Sequence, residues 1–502
     1  MDTRFPRNLL AGAILLAPSA GAVTLSTSGV GQVLVYPYYT VNKGQDTLIS
    51  ITNATAVGKV LAVRFLEGYN GRYVLDFRLF LSPHDVWTAA ISQTADDGGA
   101  RLKTSDRSCT LPALAADGEP FVSTNYDGSG SVPGDQGPTG ITRTREGFIE
   151  IFAVGDIVLG SATDTAVTHV QAALPGQGTP PGCASLTIPD VANDVVAPTG
   201  GVFGTGSVVN VGQGTFFAYN AEALQGFTDI PLMSAPGDLA PSFGDANNAD
   251  AVAGVATAHV FNESGRQISL DYAAGADAVS AIFMADTVYN EYLTAATLGA
   301  NTDWVVTMPT KEFYVDKVLY PANPTTPFVE AFHAPGQSAT SVATTIADRE
   351  EGTIQQPCQP GWEPPPCEPP ISLLYEVNVL PFNTGQALTP WPIGAPSGVL
   401  GSKLTPFAID AYGDDGNAIL DVAGGDGIHQ LPGGTDADGQ AMTLNGLPVT
   451  GFMVYNIINA HAQPGLLANY GGTFAHRTTM SCVGVSALCA QVITRGGAQD
   501  VR

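Results

Sequence analysis

The chain has 502 residues, a formal net charge of −26, an isoelectric point near 4.3 and only 13% charged residues. That acidity repels phosphate backbones and excludes nucleic-acid binding through a basic patch; its plain use is colloidal solubility. Hydrophobic residues reach 44%, enough for a real core, while 58 glycines and 36 prolines call for long loops between regular elements.

The first residues carry Arg4 and Arg7, then the apolar run "LLAGAILLAP" and the small-residue triplet Ala20-Gly21-Ala22. These are the three parts of an export signal, so residues 1–22 are expected to be a signal peptide cleaved after Ala22. No cysteine lies near that site, which argues against a lipid anchor. No later apolar run reaches the ~18 residues a membrane helix needs.

Next comes "QVLVYPYYTVNKGQDTLISITN" (residues 32–53), two strands and a turn with Pro37 inside the first. Proline donates no ladder hydrogen bond and is confined to strand edges, strand starts or bulges. The expectation is an outer-edge strand with Pro37 blunting its free side. In "KVLAVRFLEGYNGRYVLDFRLFL" (residues 59–81) apolar residues alternate on both sides of "GYNGR". Period two predicts two half-buried strands. A two-residue turn at Asn70-Gly71 would set Phe65 opposite Asp76 on one face. The apolar pattern asks for an odd loop, with Phe65 opposite Phe77, Val63 opposite Leu79, and Asn70 or Gly71 at positive φ.

After Pro83 a short strand resumes through Val86 and Trp87. Residues 92–142 read as long loops held near Cys109, "GFIEIFAVG" (147–155) as a strand, and residues 201–224 as a hairpin with glycines at its bends. The segment "MSAPGDLAPSFGDANNAD" (233–250) is the best internal boundary by composition. It divides the exported chain into an N-terminal β-sandwich domain (23–245) and a mainly β C-terminal domain (246–502), with strands free to be shared. In the second, "VATAHVFN" and "RQISLDYAAG" look like paired strands. "ADAVSAIFMADTVYNEYL" (276–293) is the best helix candidate, and "TDWVVTMPTKEFYVD" returns to strand. A Pro/Gly/Ser/Thr segment (334–370) precedes the strand-like "LLYEVNVLPF", "LTPFAIDAY" and "LPVTGFMVYNIINA". The fold class is therefore mainly β, an antiparallel β-sandwich of immunoglobulin-like or jelly-roll-like form, with long Gly/Pro/Asp-rich loops and at most one or two short helices.

Six cysteines in an exported chain favour disulfides. Cys358/Cys367 and Cys482/Cys489 are close in sequence, which leaves Cys109/Cys183, although six cysteines allow fifteen connectivities. No CxxC occurs and none of the histidines sits beside a cysteine pair, so a zinc site is not expected.

No sequence motif marks a nucleophile elbow, a zinc protease or a phosphate-binding loop. The seven histidines (His84, His169, His259, His333, His429, His461, His476) are scattered and read as structural. Glu146 and Glu150 lie four apart on one strand face. Paired carboxylates can cleave glycosides, but these read as surface charges paired with Arg143 and Arg145. Asp414-Asp415-Gly416-Asn417 and Asp436-Ala437-Asp438-Gly439 are the most calcium-like of several Asp-Gly clusters, yet neither completes a calcium loop, and turns explain them. The sequons Asn53-Ala54-Thr55 and Asn262-Glu263-Ser264 read as surface loops. Tyr36, Tyr38, Tyr39, Tyr69 and Tyr73 form either a core cluster or a sugar-stacking platform. No catalytic, cofactor-binding or metal-binding residue is assigned; calcium is the one cofactor the composition leaves open.

With "VYPYYTVNKGQDTLISITNAT", "VRFLEGYNGRYVLDFRLFLSPHDVWTA", "TRTREGFIEIF" and "TDWVVTMPTK" in view, most of the exported chain resembles a group of uncharacterised exported or cell-surface proteins of proteobacteria. Residues 46–92 are similar to bacterial immunoglobulin-like sandwich modules, which bears on fold alone. The expectation is an exported structural or adhesive envelope protein without catalytic activity, residing in the periplasm, at the surface or in the medium. Its candidate partners are surface glycans or envelope proteins. A carbohydrate-binding module or polysaccharide-active enzyme is the alternative, and a strand-exchange filament subunit the third reading. N-terminal sequencing of the exported protein is expected to begin Val-Thr-Leu-Ser-Thr.

Overall fold

The computed structural model describes residues 21–95, 98–171, 178–247, 254–262, 265–352, 371–384, 392–424, 427–463, 466–484, 489 and 493–494. Residues 1–20 of the expected signal, the Cys358/Cys367 pair and the last residues of the chain lie outside them.

Strand accounts for 45% and helix for 10%, so the chain is mainly β. In the N-terminal half two sheets face each other. The eight-stranded sheet runs in the order Thr24–Leu25, Glu222–Gln225, Val33–Thr40, Glu146–Ile157, Lys59–Glu67, Tyr73–Leu81 and Thr110–Leu111, with Val195–Val196 added beside Glu146–Ile157. The six-stranded sheet runs Thr215–Asn220, Val202–Asn210, Asp46–Asn53, Val86–Gln93, Ala100–Lys103 and Glu119–Pro120. Their facing side chains, among them Tyr36, Ile51, Phe65, Phe77, Trp87 and Ile149, form one apolar core. Pairing throughout these two sheets is antiparallel, the sandwich that the alternating strands predict.

The other face of the eight-stranded sheet is covered as well. Val33, Val35, Val60, Ala62, Phe152 and Val154 join a second core with Ala258, Val279, Ile282 and Trp304 of the C-terminal half. Among the described residues that half holds a six-stranded sheet, two five-stranded sheets and a two-stranded one. The helix Gly275–Phe283 packs there with all but Asp277 buried. Val377–Thr384 and Ile409–Ala411 are a parallel pair. No sheet among the described residues combines strands from before and after the 233–250 boundary, although the second core is continuous across it.

This second covering changes the reading of several segments. The strand Val33–Thr40 is not an edge. It pairs along its length with Glu146–Ile157, and at Val33, Leu34 and Val35 with Leu224, Ala223 and Glu222 on its other side. Pro37 is accommodated by the third option open to proline, a bulge: the register shifts between Gly147↔Tyr39 and Ile149↔Tyr36. Pairing with the Glu222 side stops at Val35, and the Pro37 carbonyl accepts from Thr307 Oγ1 at 2.6 Å. Gly147, next to the bulge, is required because a Cβ would sit 1.9 Å from the Leu66 carbonyl oxygen.

The Lys59–Glu67/Tyr73–Leu81 hairpin keeps the expected faces at a register two residues away. Val63 pairs with Phe77, Leu61 with Leu79 and Phe65 with Leu75, and a shift then sets Leu66 opposite Tyr73. The loop 68–71, closed by the Glu67 N–H to Arg72 carbonyl bond, is even, and the bulge restores the parity that an odd loop would have supplied. Gly71 takes φ +68. The Lys59–Glu67 strand is buried on both faces rather than one. Residues 276–293 divide between the helix Gly275–Phe283 and the strand Thr287–Leu293, and the strand Ala300–Thr307 is followed by the helix Glu312–Val315. Among the described residues four short α-helices stand against the one or two expected.

Two of the three expected disulfides fall in the described residues, Cys109–Cys183 and Cys482–Cys489, and both are formed. The first closes a span of 74 residues over the long-loop region. Replacing Cys109 and Cys183 with serine is expected to lower the unfolding free energy by about 2–5 kcal/mol, read from urea titrations of the oxidised protein and the variant.

Candidate functional site

In a chain with few charges, charged residues inside apolar strands ask where their charge goes. Arg64, Glu67, Asp76 and Arg78 lie on the hairpin strands, and Arg64, Glu67 and Arg78 are buried. All belong to an ionic layer on the seam between the eight-stranded sheet and the C-terminal half. Arg143 grips Glu67 through two bonds (Nε–Oε2 2.7 Å, Nη2–Oε1 2.8 Å) and Asp135 through two more (Nη1–Oδ1 2.8 Å, Nη2–Oδ2 2.5 Å). Its guanidinium also lies 4.4 Å from the Tyr126 ring centroid and 5.2 Å from that of Tyr69. The Glu67 carboxylate accepts in addition from the backbone N–H of Tyr69, Asn70 and Arg72, so it organises the hairpin loop from inside.

Arg72 and Asn70 donate from that loop to Asp316 Oδ2, at 2.6 and 2.9 Å, and so reach into the C-terminal half. Arg64 Nη1 donates to the carbonyls of Leu239 and Pro241, and Arg78 Nη2 to that of Ala235. The boundary segment by composition is thus a strap whose carbonyls solvate two buried arginines. Gly71 is held between Glu312 and Glu376: a Cβ there would lie 2.5 Å from Glu376 Oε2 and 3.1 Å from Glu312 Oε2.

Glu146 and Glu150 are not surface charges. Both lie on the central strand of a sheet covered on both faces, and both are buried. Glu146 accepts from Tyr38 Oη at 2.9 Å and from the Lys403 N–H at 2.8 Å, and burial still holds its carboxyl above the usual range. Burial pushes Glu150 up to about 8, against the pull of Arg64. Arg143 and Arg145 go elsewhere, Arg143 to Glu67 and Asp135, and Arg145 to the Gly98 carbonyl.

The tyrosines resolve into core. Tyr36, Tyr38 and Tyr39 are fully buried and donate to the Ser50 carbonyl, Glu146 and the Thr144 carbonyl, while Tyr69 and Tyr73 are half-buried against the arginines. Asn53 is buried as well, because its amide donates to the Val57 and Ser82 carbonyls and its oxygen accepts from Thr55; it is a loop pin and not an exposed acceptor. Asn262 ends a strand, and Glu263 and Ser264 lie outside the described residues.

Asp436 Oδ1 accepts from the N–H of Asp438 and Gln440, closing the turn between Gln430–Thr435 and Ala441–Asn445. Asp415, Gly416 and Asn417 run within the strand Asp415–Asp421. Among the described residues no three His, Cys, Asp or Glu side chains are arranged to hold a metal ion.

The histidines serve separate neighbours. His169 faces Ser82, His259 faces Gln267, and His333 faces Glu330. The side chain of His461 is not described. His429 is fully buried with Nδ1 3.0 Å from the Pro327 carbonyl and Nε2 2.8 Å from the Ser341 carbonyl. His476 lines a small cavity with Glu222, Thr450 and Val288. Its Nε2 donates to the Val305 carbonyl at 2.9 Å, and its Nδ1 accepts from Asn290 at 3.1 Å. Both nitrogens are spent on structure, so this ring is not poised as a general base.

One regular exposed surface among the described residues is the outer face of the N-terminal six-stranded sheet. A groove there is lined by Leu48, Ser50, Thr88, Lys103, Thr205 and Ser207, and Ser50 and Thr205 hydroxyls meet at 2.8 Å. By register Phe203 and Phe216 share that face, and both are exposed. No helix among the described residues is long and apolar enough to cross a membrane. No protein-family model, curated protein or solved structure matches the chain.

Arg143→Ala is expected to cost about 3–5 kcal/mol, because it strands Glu67 and Asp135 in the interior. Gly71→Ala is expected to cost about 1 kcal/mol or more through its positive φ alone. Denaturant unfolding of the two variants checks both.

Proposed function

We propose that the chain is an exported structural or adhesive protein of the cell envelope or surface that acts by contact and not by catalysis. The observation that carries this reading is where the polar chemistry sits. The carboxylates and arginines that acid–base work would recruit are built into the interior. The open surface is a β-sheet face of hydroxyl and apolar side chains. The disulfides Cys109–Cys183 and Cys482–Cys489 suit an oxidising compartment. Sharing of strands between copies is the weaker option, since Val33–Thr40 is an interior strand, and past Val35, where its second partner ends, the Pro37 carbonyl is taken by Thr307.

One observation favours carbohydrate as the contacted surface. Phe203 and Phe216 lie on the same face as the Ser50, Thr88, Thr205 and Ser207 hydroxyls, and a ring beside hydroxyls suits a sugar.

Fractionation with an antibody to the exported chain is expected to find it with the surface or envelope; a freely soluble periplasmic pool would count against adhesion. A glycan array and a polysaccharide hydrolysis screen divide the readings further. Retention without hydrolysis, lost in Phe203→Ala/Phe216→Ala with an unchanged unfolding midpoint, is the outcome expected of a sugar-contacting face. Hydrolysis would overturn the non-enzymatic reading.

A further inference from the structure

Three glutamic acids from separate elements converge on the seam. Glu150 stands in the middle of Glu146–Ile157, opposite Arg64. Glu312 opens the helix Glu312–Val315. Glu376 directly precedes Val377–Thr384, and its N–H donates to the Tyr69 carbonyl while Val377 donates to that of Gly68. The Glu312 N–H faces Glu376 Oε1 at 3.5 Å, and the Oε2 atoms of both residues crowd Gly71. Exposure is 3% for Glu150, 8% for Glu312 and 0% for Glu376. Glu150 Oε1 and Glu376 Oε2 are buried without a hydrogen-bond partner, a position an ionised carboxylate does not tolerate.

The cations that face these acids spend most of their donors elsewhere, although Arg64 Nε and Arg72 Nη2 are buried without a hydrogen-bond partner. Arg64 is held by the carbonyls of Leu239, Ala240 and Pro241. Arg72 is held by Asp316 and the carbonyls of Asn125 and Pro133. Lys311 donates to the Ser338 and Tyr375 carbonyls and faces Glu376 first and Glu330 second. The other groups that face the cluster are acids: Glu67, already paired with Arg143, Asp316, paired with Arg72, and the Tyr320 phenol.

We propose that Glu150, Glu312 and Glu376 form a proton-operated latch between the two halves of the molecule, closed while these acids carry protons and loosened as they lose them. Burial raises all three carboxyls, Glu150 to about 8, and for Glu312 and Glu376 the neighbouring carboxylates add to the effect. An acid whose proton is held more tightly in the fold than in the unfolded chain contributes stability that is complete at low pH. That stability is lost as pH rises through the folded-state value. Lys311, pushed down to about 7 by burial, works in the opposite sense: its contribution is lost as pH falls towards 7. Three acids outweigh one amine, so the latch is tighter at pH 5.5 than at pH 8.5.

The test is chemical unfolding of the full oxidised chain between pH 5.5 and 8.5. The folding constant is expected to fall as pH rises, by up to about tenfold per pH unit for each proton retained in the fold. Glu150→Gln and Glu312→Gln, which mimic the protonated acid, should each flatten that dependence. Amide protection at Glu376 and Val377, whose N–H groups cross the seam, should drop at pH 8.5 in the native protein and less in the variants. A wild-type folding constant that is flat or rises over this interval overturns the latch, as do glutamine variants that keep the full wild-type slope. Should the variants fail to fold, amide protection at Glu376 and Val377 in the native protein decides: a drop between pH 5.5 and 8.5 supports the latch, and unchanged protection refutes it.

Discussion

A guanidinium that leaves water needs most of its donors answered by the protein, and of the four at this seam only Arg64 Nε and Arg72 Nη2 go without a partner. Arg64, Arg72, Arg78 and Arg143 are all buried between the eight-stranded sheet and what covers it. Much of the surrounding chain is placed by that requirement. Carbonyls of residues 234–241 turn inward to meet Arg64 and Arg78. The loop ahead of Glu146–Ile157 folds back so that Asp135 can share Arg143 with Glu67. The short helix Glu312–Val315 ends where Asp316 receives Arg72. Apolar surfaces tolerate sliding, whereas forked pairs fix distance and angle together. The ionic layer therefore sets how the C-terminal half sits on the sandwich, and the apolar contacts around it supply most of the adhesion.

The sandwich itself was legible. Alternation in residues 59–81 marked two strands, the face argument excluded a simple two-residue turn, and positive φ was placed at Gly71 or Asn70. Proximity in sequence was enough to pair Cys482 with Cys489, and elimination to pair Cys109 with Cys183. What alternation does not carry is the identity of the medium on the polar face. Arg64, Asp76 and Arg78 have the spacing of solvent-facing residues, and Glu146 and Glu150 do as well. A layer of protein carbonyls and counter-ions leaves the same pattern in the sequence as water does. The register error in the hairpin has a local cause, since a four-residue loop and a bulge together mimic the parity of an odd loop.

The seam was legible only as an anomaly. With so few charges in the chain, arginine and glutamate inside the most apolar strands were a signal of buried pairing, and their partners could not be named because they lie far away: Glu67 with Arg143, Arg72 with Asp316. Pro37 shows the same limit. Proline chemistry offered an edge, a strand start or a bulge, and the choice fell to the neighbouring strand, where the register shifts between Gly147 and Ile149.

The strand Ala256–Asn262 collects contacts from opposite ends of the chain. Val23 bridges to Ala258, with hydrogen bonds to Thr257 and from His259, and Ile493–Thr494 pairs with Asn262 and Phe261. Contacts at that sequence separation are non-local and slow to form. A chain released in order, first residue first, holds Val23 without its partner until more than half of its length has emerged. Completion of this strand's contacts therefore waits until Ile493 and Thr494 are free to pair.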